Sequence, residues 1–189
     1  MNPALPRLVT FCAHPVTGKT TISRFLQNEL GFIRLGWDEL EEAASWPEGV
    51  KCDEPGYDFR DGAWKQLEFF RDLYLARGID VVVDSPATDI YSRDRIFKSE
   101  HPHDNYVIVL SVSLLSHRRF IRKRLGNGKQ LGQALSYATR GEWDDPSRCD
   151  YSVLQSCKII RYRNWWPWDM KIIQRSLIKR LGKKAGERV

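Results

Sequence analysis

The sequence contains no apolar run approaching the roughly 20 residues that a membrane-spanning helix requires. Its N-terminus, MNPALPRL, lacks the basic start and apolar block of a secretory signal peptide. The four cysteines form no CxxC pair, which argues against a zinc site and against a disulfide framework. We therefore expect a cytoplasmic protein with reduced thiols and no membrane partner.

The length and composition are those of a globular protein. A chain of 189 residues suits one domain, so we expect residues 1–189 to form a single unit with its own core. The apolar fraction of 42% is high enough to offset the entropy lost on ordering the chain. The formal net charge of +6 favours phosphorylated ligands without choosing among nucleotides, small molecules and nucleic acid.

Apolar, β-branched runs alternate with helical patterns along the chain. Strands are predicted at Arg7–Cys12, Phe32–Leu35, Ile79–Val83, Tyr106–Val112 and Tyr151–Gln155. Helices are predicted up to Leu30, at Glu39–Ser45, Ala63–Ala76, Leu114–Leu125 and Gln133–Thr139, and at about 169–182, with a long loop at Trp46–Asp61. This alternation predicts a three-layer α/β fold with a mainly parallel sheet and helices on both faces.

The segment Ala13–Thr20, AHPVTGKT, matches the phosphate-binding pattern GxxxxGK[ST] except at its first position. Such a loop turns backbone N–H groups toward phosphate at the positive end of the following helix. Lys19 is expected to meet the β- and γ-phosphates, and the Thr20 hydroxyl to hold Mg²⁺. The predicted residues for binding ATP are Ala13, His14, Pro15, Val16, Thr17, Gly18, Lys19, Thr20 and Thr21. Alanine at the first position is a departure, because glycine there allows positive φ or close packing.

The chain resembles the P-loop kinase superfamily, particularly its small members related to polynucleotide kinase, zeta toxin and chloramphenicol phosphotransferase. The resemblance covers about Leu8 to Gln155. It lies in the phosphate loop, in LGWDEL after the second strand, in VVVDSPA at the third, and in the arginine-rich helix after the fourth. It implies transfer of the γ-phosphoryl group of ATP to a hydroxyl, with a short lid at about 114–140.

Two aspartates follow predicted strands. By resemblance Asp38 is the base that accepts the proton of the attacking hydroxyl; alternatively it caps the helix that begins ELEEA. Asp84 ends the third strand as a Walker B carboxylate does, which suggests a role in holding Mg²⁺; alternatively it contacts substrate or caps the turn before Pro86. Arg93 and Arg95 are candidates for contact with phosphate or acceptor; alternatively they are solvated helix residues.

Arginines on the predicted helix Leu114–Leu125 precede the lid. Arg118 and Arg122 share one helical face and are candidate clamps for the transferred phosphate. Arg119 and Arg124 compete for that role, and an ordinary solvated basic face also accounts for the pattern.

The C-terminal segment contains WWPW at Trp165–Trp168, followed by an amphipathic, basic stretch. One interpretation is a terminal helix that packs on the domain with a solvated basic face. The other is stacking and phosphate contacts with single-stranded nucleic acid. The latter favours a polynucleotide 5′-hydroxyl kinase acting on RNA or DNA; a third alternative is a noncatalytic nucleotide-dependent switch, although no NKxD guanine motif is present.

Overall fold

A computed structural model describes residues 4–13, 16–43, 59–85, 95–125, 157–164, 166 and 168–182. Within these ranges the strands are β1 Arg7–Ala13, β2 Ile33–Gly36, β3 Val81–Asp84, β4 Asp104–Ser111 and β5 Lys158–Arg163. The helices are α1 Lys19–Leu30, α2 Trp37–Ala43, α3 Phe59–Ala76, α4 Leu114–Leu125 and α5 Asp169–Leu181. Strands and helices are therefore interspersed along the chain, as the sequence pattern predicts.

The five strands form one sheet in the order β2-β3-β1-β4-β5, and every pairing among them is parallel. Every residue of β3, which reads VVVD, is buried. A continuous apolar strand of this kind is expected where helices cover both faces of a parallel sheet. The predicted α/β class with a parallel sheet and helices on both faces is confirmed.

Two apolar clusters form the packing between the sheet and its helices. One face packs against α3 through Trp64, Leu67 and Leu75. The other face packs against α1 and α5, whose buried residues are Ile22, Leu26, Ile173, Leu177 and Leu181. The C-terminal helix is thus part of the core, as the first interpretation of the tail requires. Among the described residues, no helix has the length and apolar character needed to cross a membrane.

The strand order predicts a crevice at the carboxyl ends of the adjacent strands β1 and β4, in the interior of the sheet. The connection from β1 leads to β2 on one side, whereas the connection from β4 leads to β5 on the other. Ligands of open α/β sheets bind outside the carboxyl ends of the strands at such a switch point. The β1–α1 loop, which carries the phosphate-binding pattern, lies at this position.

Several predicted boundaries need correction. The helix α3 begins at Phe59, so the end of the predicted Trp46–Asp61 loop is helical, and residues 44–58 lie outside the described part. The fifth strand of the sheet is Lys158–Arg163, a segment for which no strand was predicted. The predicted elements Tyr151–Gln155 and Gln133–Thr139, with the lid beyond residue 125, also lie outside the described residues. The expected resemblance ended at about Gln155, whereas the sheet and its core continue past that residue through β5 and α5.

Candidate active site

The phosphate-binding pattern forms a strand–loop–helix unit. Ala13 is the last residue of β1, fully buried and paired with Leu110 of β4. Its backbone is extended strand and is not among the residues with positive φ, so alanine fits here without strain. His14 and Pro15 lie outside the described residues. The missing first glycine of the pattern is therefore no obstacle to this backbone.

The end of the loop carries two left-handed residues. Val16 has φ 62° and Gly18 has φ 103°. Gly18 adopts this conformation without steric cost, whereas a β-branched residue such as Val16 is strained by on the order of 1–3 kcal/mol. Strain of this kind concentrates at ligand-binding loops, where the surrounding structure maintains it.

Lys19 and Thr20 occupy the first turn of α1. Lys19 Nζ donates a hydrogen bond of 3.3 Å to the carbonyl of Ala13, so its side chain spans the loop from the helix back to the strand. Thr20 is half-buried and Thr21 is exposed. The lysine ammonium and the N–H groups of the first helical turn together create positive potential at the loop.

Residues of the C-terminal segment pack against the phosphate loop. Asn164, at the end of β5, donates a buried 2.7 Å hydrogen bond from Nδ2 to the carbonyl of Thr17. A Cβ placed on Gly18 would lie 2.6 Å from Met170 Cε of α5 and 3.2 Å from Asn164 Nδ2. Glycine is needed at position 18 both for its φ and for the close approach of these side chains.

A cavity of about 380 Å³ adjoins the loop. It is lined by Val16, Thr17, Gly18, Phe120, Lys123 and Asn164. This volume falls in the range of small-molecule sites, and its lining combines an aromatic ring, an ammonium group and a side-chain amide. The cavity is therefore large enough for part of a nucleotide whose phosphates lie on the loop.

Asp84 lies at the carboxyl end of β3 in a buried polar network. Its Oδ2 atom is 2.6 Å from Arg34 Nη2 of β2 and accepts a 2.9 Å hydrogen bond from Ser23 Oγ of α1. Ser23 Oγ is also 3.1 Å from the carbonyl of Thr20. Ser23 thus connects Asp84, the predicted metal-binding carboxylate, to Thr20 in the first turn of α1. Sequence reasoning missed Arg34 and Ser23 because neither belongs to a motif.

Arg34 also contacts α2. Its Nη1 donates a 2.8 Å hydrogen bond to Glu39 Oε1, and the two side chains lie across Gly36, where a Cβ would clash with both. Burial alone would lower the pKa of Arg34, but hydrogen bonds to Glu39 and Asp84 outweigh burial and raise the pKa above its usual value. The same hydrogen bond from Arg34 lowers the pKa of Glu39. One guanidinium therefore connects the end of β3 to the start of α2.

Asp38 is exposed in the first turn of α2, next to Glu39. The helix begins at Trp37, so Asp38 lies in its first turn, where a carboxylate interacts favourably with the positive end of the helix. Since Gly36 is paired with Asp84 in the sheet, Asp38 follows the end of the strand adjacent to β3. Asp38 and Asp84 thus both lie at the carboxyl ends of their strands, the end of the sheet at which the phosphate loop also lies.

Arg118 and Arg122 of α4 do not line the cavity. The helix buries His117 and Ile121 and leaves Arg118 and Arg122 exposed. Phe120 and Lys123, three residues apart, line the cavity instead. The 3.6-residue period could have singled out this pair, but only the packing shows which side of the helix turns to the loop.

Arg95 does not lie free in solvent. Its guanidinium contacts Asp61 at 3.1 Å and Glu68 at 2.5 Å and lies 5.5 Å from the centre of the Trp64 ring. Through these ion pairs Arg95 connects the segment that follows β3 to α3. Arg93 lies outside the described residues.

Solved structures share the fold of this chain. A sugar kinase from Janibacter sp. has a TM-score of 0.59 and 18% sequence identity over 93% of each chain. A structure described provisionally as a kinase, from Chloroflexus aurantiacus, has a TM-score of 0.65 and 20% identity over 94% of this chain and 97% of its own. A gluconokinase from Sinorhizobium meliloti has a TM-score of 0.58 and 16% identity over 95% of both chains.

This chain thus shares, over nearly its whole length, the fold of solved structures that are named as kinases, in line with the resemblance expected from the sequence. No family model and no curated protein matches the sequence significantly. At identities of 16–20% the shared property is the fold, and the chemistry must be argued from the residues of this chain.

Proposed function

We propose that this chain is an ATP-dependent kinase that transfers the γ-phosphoryl group to a hydroxyl of a small-molecule or nucleotide-like acceptor. The observation that carries the proposal is the loop at the carboxyl end of β1. There Gly18, with φ 103°, opens α1, and the side chain of Lys19 spans the turn. The kinases of similar fold support the same class of reaction, a phosphotransfer.

The loop would hold the phosphates, and the neighbouring cavity the nucleoside. A phosphate on the loop would receive hydrogen bonds from the first turn of α1 and from Lys19 Nζ. The existing bond from Lys19 to a neutral carbonyl is long, at 3.3 Å, and a phosphate oxygen is a stronger, charge-assisted acceptor. The cavity beside Gly18 would receive the sugar and base, with Phe120 and Lys123 along its wall.

The oxygen ligands expected of a Mg²⁺ site are present. Thr20 offers a hydroxyl at the start of α1. Asp84 offers a carboxylate, which accepts a hydrogen bond from Ser23 of the same helix α1. The contacts of Arg34 and Ser23 both fall on Oδ2 of Asp84. Hydroxyl and carboxylate oxygens, with phosphate and water, suit this hard cation. When bound, Mg²⁺ would neutralise charge on the phosphates; Thr20 and Asp84 would hold it.

Asp38 would act as the general base. Its carboxylate is exposed at the carboxyl edge, where an acceptor hydroxyl could approach it from solvent. Removal of the hydroxyl proton by a positioned carboxylate contributes about 10² to 10⁴ in rate. The contact between Arg34 and Glu39 fixes the first turn of α2 and hence the neighbouring position of Asp38.

A cation from α4 would complete the site, and two assignments compete. Arg118 and Arg122 would clamp the transferred phosphate if the lid brings it to their side of the helix. Lys123 instead already lines the cavity beside Gly18. Lys123→Ala should mainly raise KM for ATP, whereas Arg118→Ala or Arg122→Ala should mainly lower kcat, because a clamp acts in the transition state. Full activity in both arginine variants would remove them from the site.

The test is transfer of labelled phosphate from ATP to a panel of sugars, nucleosides, nucleotides and oligonucleotides. Lys19→Ala should leave a folded protein with strongly reduced nucleotide binding or turnover, and Lys98→Ala, at an exposed site, should match the wild type. Asp38→Asn should keep ATP affinity and the melting temperature while transfer falls at least about 10²-fold. The matched control is Glu42→Gln on the same helix.

Three outcomes would count against the proposal. Normal turnover by Lys19→Ala would exclude the phosphate loop. Normal turnover by Asp38→Asn would exclude that base and direct attention to Asp84. Tight ATP binding without transfer to any acceptor would favour the nucleotide-dependent switch.

A second candidate is a kinase that acts on the 5′-hydroxyl of RNA or DNA. The observation in its favour is the exposed tryptophan pair beside the basic helix α5. Transfer to oligonucleotides that exceeds transfer to nucleosides would select it.

A further inference from the structure

Two tryptophans form an exposed, flat pair between β5 and α5. The rings of Trp166 and Trp168 are parallel within 1°, with centroids 5.3 Å apart. Trp166 is 52% exposed and Trp168 is 59% exposed. Large aromatic side chains usually bury most of their surface, so a stacked pair open to solvent indicates a contact surface.

Backbone hydrogen bonds hold this pair in place. The Trp166 N–H donates to Asp169 Oδ2 at 2.9 Å, and the Asp169 N–H donates to the carbonyl of Trp166 at 3.0 Å. The Lys171 N–H donates to the carbonyl of Trp168 at 3.2 Å. These bonds fix the backbone of both tryptophans to the first turn of α5, so the backbone that carries the rings needs little ordering when a ligand binds.

The outward side of α5 continues the surface with basic residues. The helix buries Ile173, Leu177 and Leu181 against the sheet. Opposite them, at helical spacing, an exposed stripe contains Trp168, Ile172, Arg175 and Lys179, flanked by exposed Lys171. From residue 168 to residue 179 the stripe is about 16 Å long. We call Trp166 together with this stripe and Lys171 the tryptophan-basic surface.

We propose that the tryptophan-basic surface binds single-stranded nucleic acid. Unpaired bases stack on aromatic side chains, while lysine and arginine neutralise the phosphates between them. The surface offers both elements in sequence: a flat aromatic pair at one end, then two cations along the helical stripe with Lys171 beside it. The positive net charge of the chain favours the same polyanionic partner.

The arrangement suits a nucleic acid better than a membrane. A helix that lies in a membrane interface separates an apolar face from a charged one and inserts the apolar face. Here the apolar face of α5 is already used, because Ile173, Leu177 and Leu181 belong to the core. The exposed side of the helix interleaves apolar and basic residues: Trp168, Ile172 and Ile178 with Lys171, Arg175, Lys179 and Arg180. Interleaving of this kind fits a ligand that alternates flat bases with phosphates.

The surface is distinct from the proposed acceptor position. β5 and β2 are the two edges of the sheet, four strand spacings apart, which is about 19 Å. Asp38 follows β2, whereas the tryptophans follow β5. Asn164, two residues before Trp166, contacts Thr17 of the phosphate loop. A bound strand would therefore lie beside the nucleotide site, and its binding does not depend on the proposed phosphotransfer.

The experiment measures fluorescence anisotropy of a labelled 16-nucleotide oligo(dT) with the full chain. Trp166→Ala combined with Trp168→Ala should weaken binding about 5- to 100-fold through lost stacking. Removing the charges of Lys171, Arg175 and Lys179 together, each as glutamine, should reduce the slope of log affinity against log salt by about 2. The controls are Phe69→Ala, at a 62% exposed ring, and Arg77→Gln combined with Lys98→Gln; neither should change binding.

Each control ligand has a decisive outcome. An abasic strand of equal charge should bind at least about 5-fold more weakly than oligo(dT) if bases stack on the pair. Equal affinity for the abasic strand would overturn the stacking role, and equal affinity for a duplex would overturn the preference for single strands. Binding to phosphatidylserine vesicles without binding to oligo(dT) at 50 mM salt would assign the surface to a membrane and refute the proposal. Melting curves of each variant confirm that it is folded.

Discussion

Replacement of Arg34 by methionine should destabilise the fold through Asp84. The Asp84 side chain is 4% exposed and that of Arg34 is 12% exposed, and their closest atoms are 2.6 Å apart. Methionine retains much of the length and apolar volume of arginine but has no charge or donor. The variant therefore leaves a buried carboxylate with the hydrogen bond from Ser23 and without its cation.

The magnitude follows from the burial of the pair. Breaking a buried ion pair by removing one partner costs about 3–5 kcal/mol, and the remaining Ser23 hydrogen bond places this case near the lower limit. For a chain of this size, about 3 kcal/mol corresponds to a fall in Tm of about 6–12 °C. The contact with half-exposed Glu39 adds little, because exposed ion pairs contribute about 0–1 kcal/mol.

The assay is a double-mutant cycle followed by urea and thermal unfolding. Asp84→Asn removes the buried charge and keeps an oxygen for Ser23, so the double variant should be more stable than Arg34→Met alone, by at least about 1 kcal/mol. Arg77→Met, at an exposed arginine, is the control and should unfold like the wild type. If Arg34→Met melts within about 2 °C of the wild type, or if the two substitutions add without coupling, the carboxylate does not depend on Arg34 and the reasoning is wrong.

Three further predictions concern the loop, pH and thiol chemistry. Gly18→Ala should lower the free energy of unfolding by at least about 1 kcal/mol and weaken nucleotide binding, because alanine is strained at positive φ. The control Gly62→Ala, in an open helical position, should be neutral or stabilising. Equal melting temperatures for Gly18→Ala and the wild type would refute the prediction. The hydrogen bond from Arg34 lowers the pKa of Glu39, so its contribution to stability is complete above the usual glutamate value of 4.5 and is lost as pH falls through the lowered folded-state value. The stability difference between wild type and Glu39→Gln should accordingly be present at pH 7 and shrink on acidification below about 4.5 in melts at a series of pH values; a difference that grows there would contradict the assignment. Burial raises the pKa of Cys157 to about 11, so iodoacetamide at pH 8 should modify it much more slowly in the folded than in the unfolded protein, as followed by mass spectrometry, and equal rates would show that the thiol is not protected.

The sequence predicted the elements whose signals are local. The helix Leu114–Leu125 has the predicted bounds, and the bounds of α5, Asp169–Leu181, lie within one residue of the prediction. Both were predictable because apolar residues recur in each segment at the helical period. β5 was missed because it is an edge strand whose sequence, KIIRYR, mixes apolar and basic residues. A strand half open to solvent lacks the continuous apolar run that revealed β3 and β4.

The phosphate loop illustrates what the sequence determined by itself. A short motif places Gly18, Lys19 and Thr20 where one strand ends and the next helix begins, and neighbours in the chain supply both elements. The charge of the loop, its positive φ and the direction of its helix follow from these few residues.

Contacts between distant segments were decided only by the tertiary structure. Arg34 meets Asp84 across 50 residues because β2 and β3 are adjacent in the sheet, and Asn164 meets Thr17 across 147 residues because β5 and α5 complete the other side. Which face of α4 lines the cavity likewise depends on how that helix packs. No local pattern encodes these pairings, since each arises from the order in which crossover connections place the strands side by side.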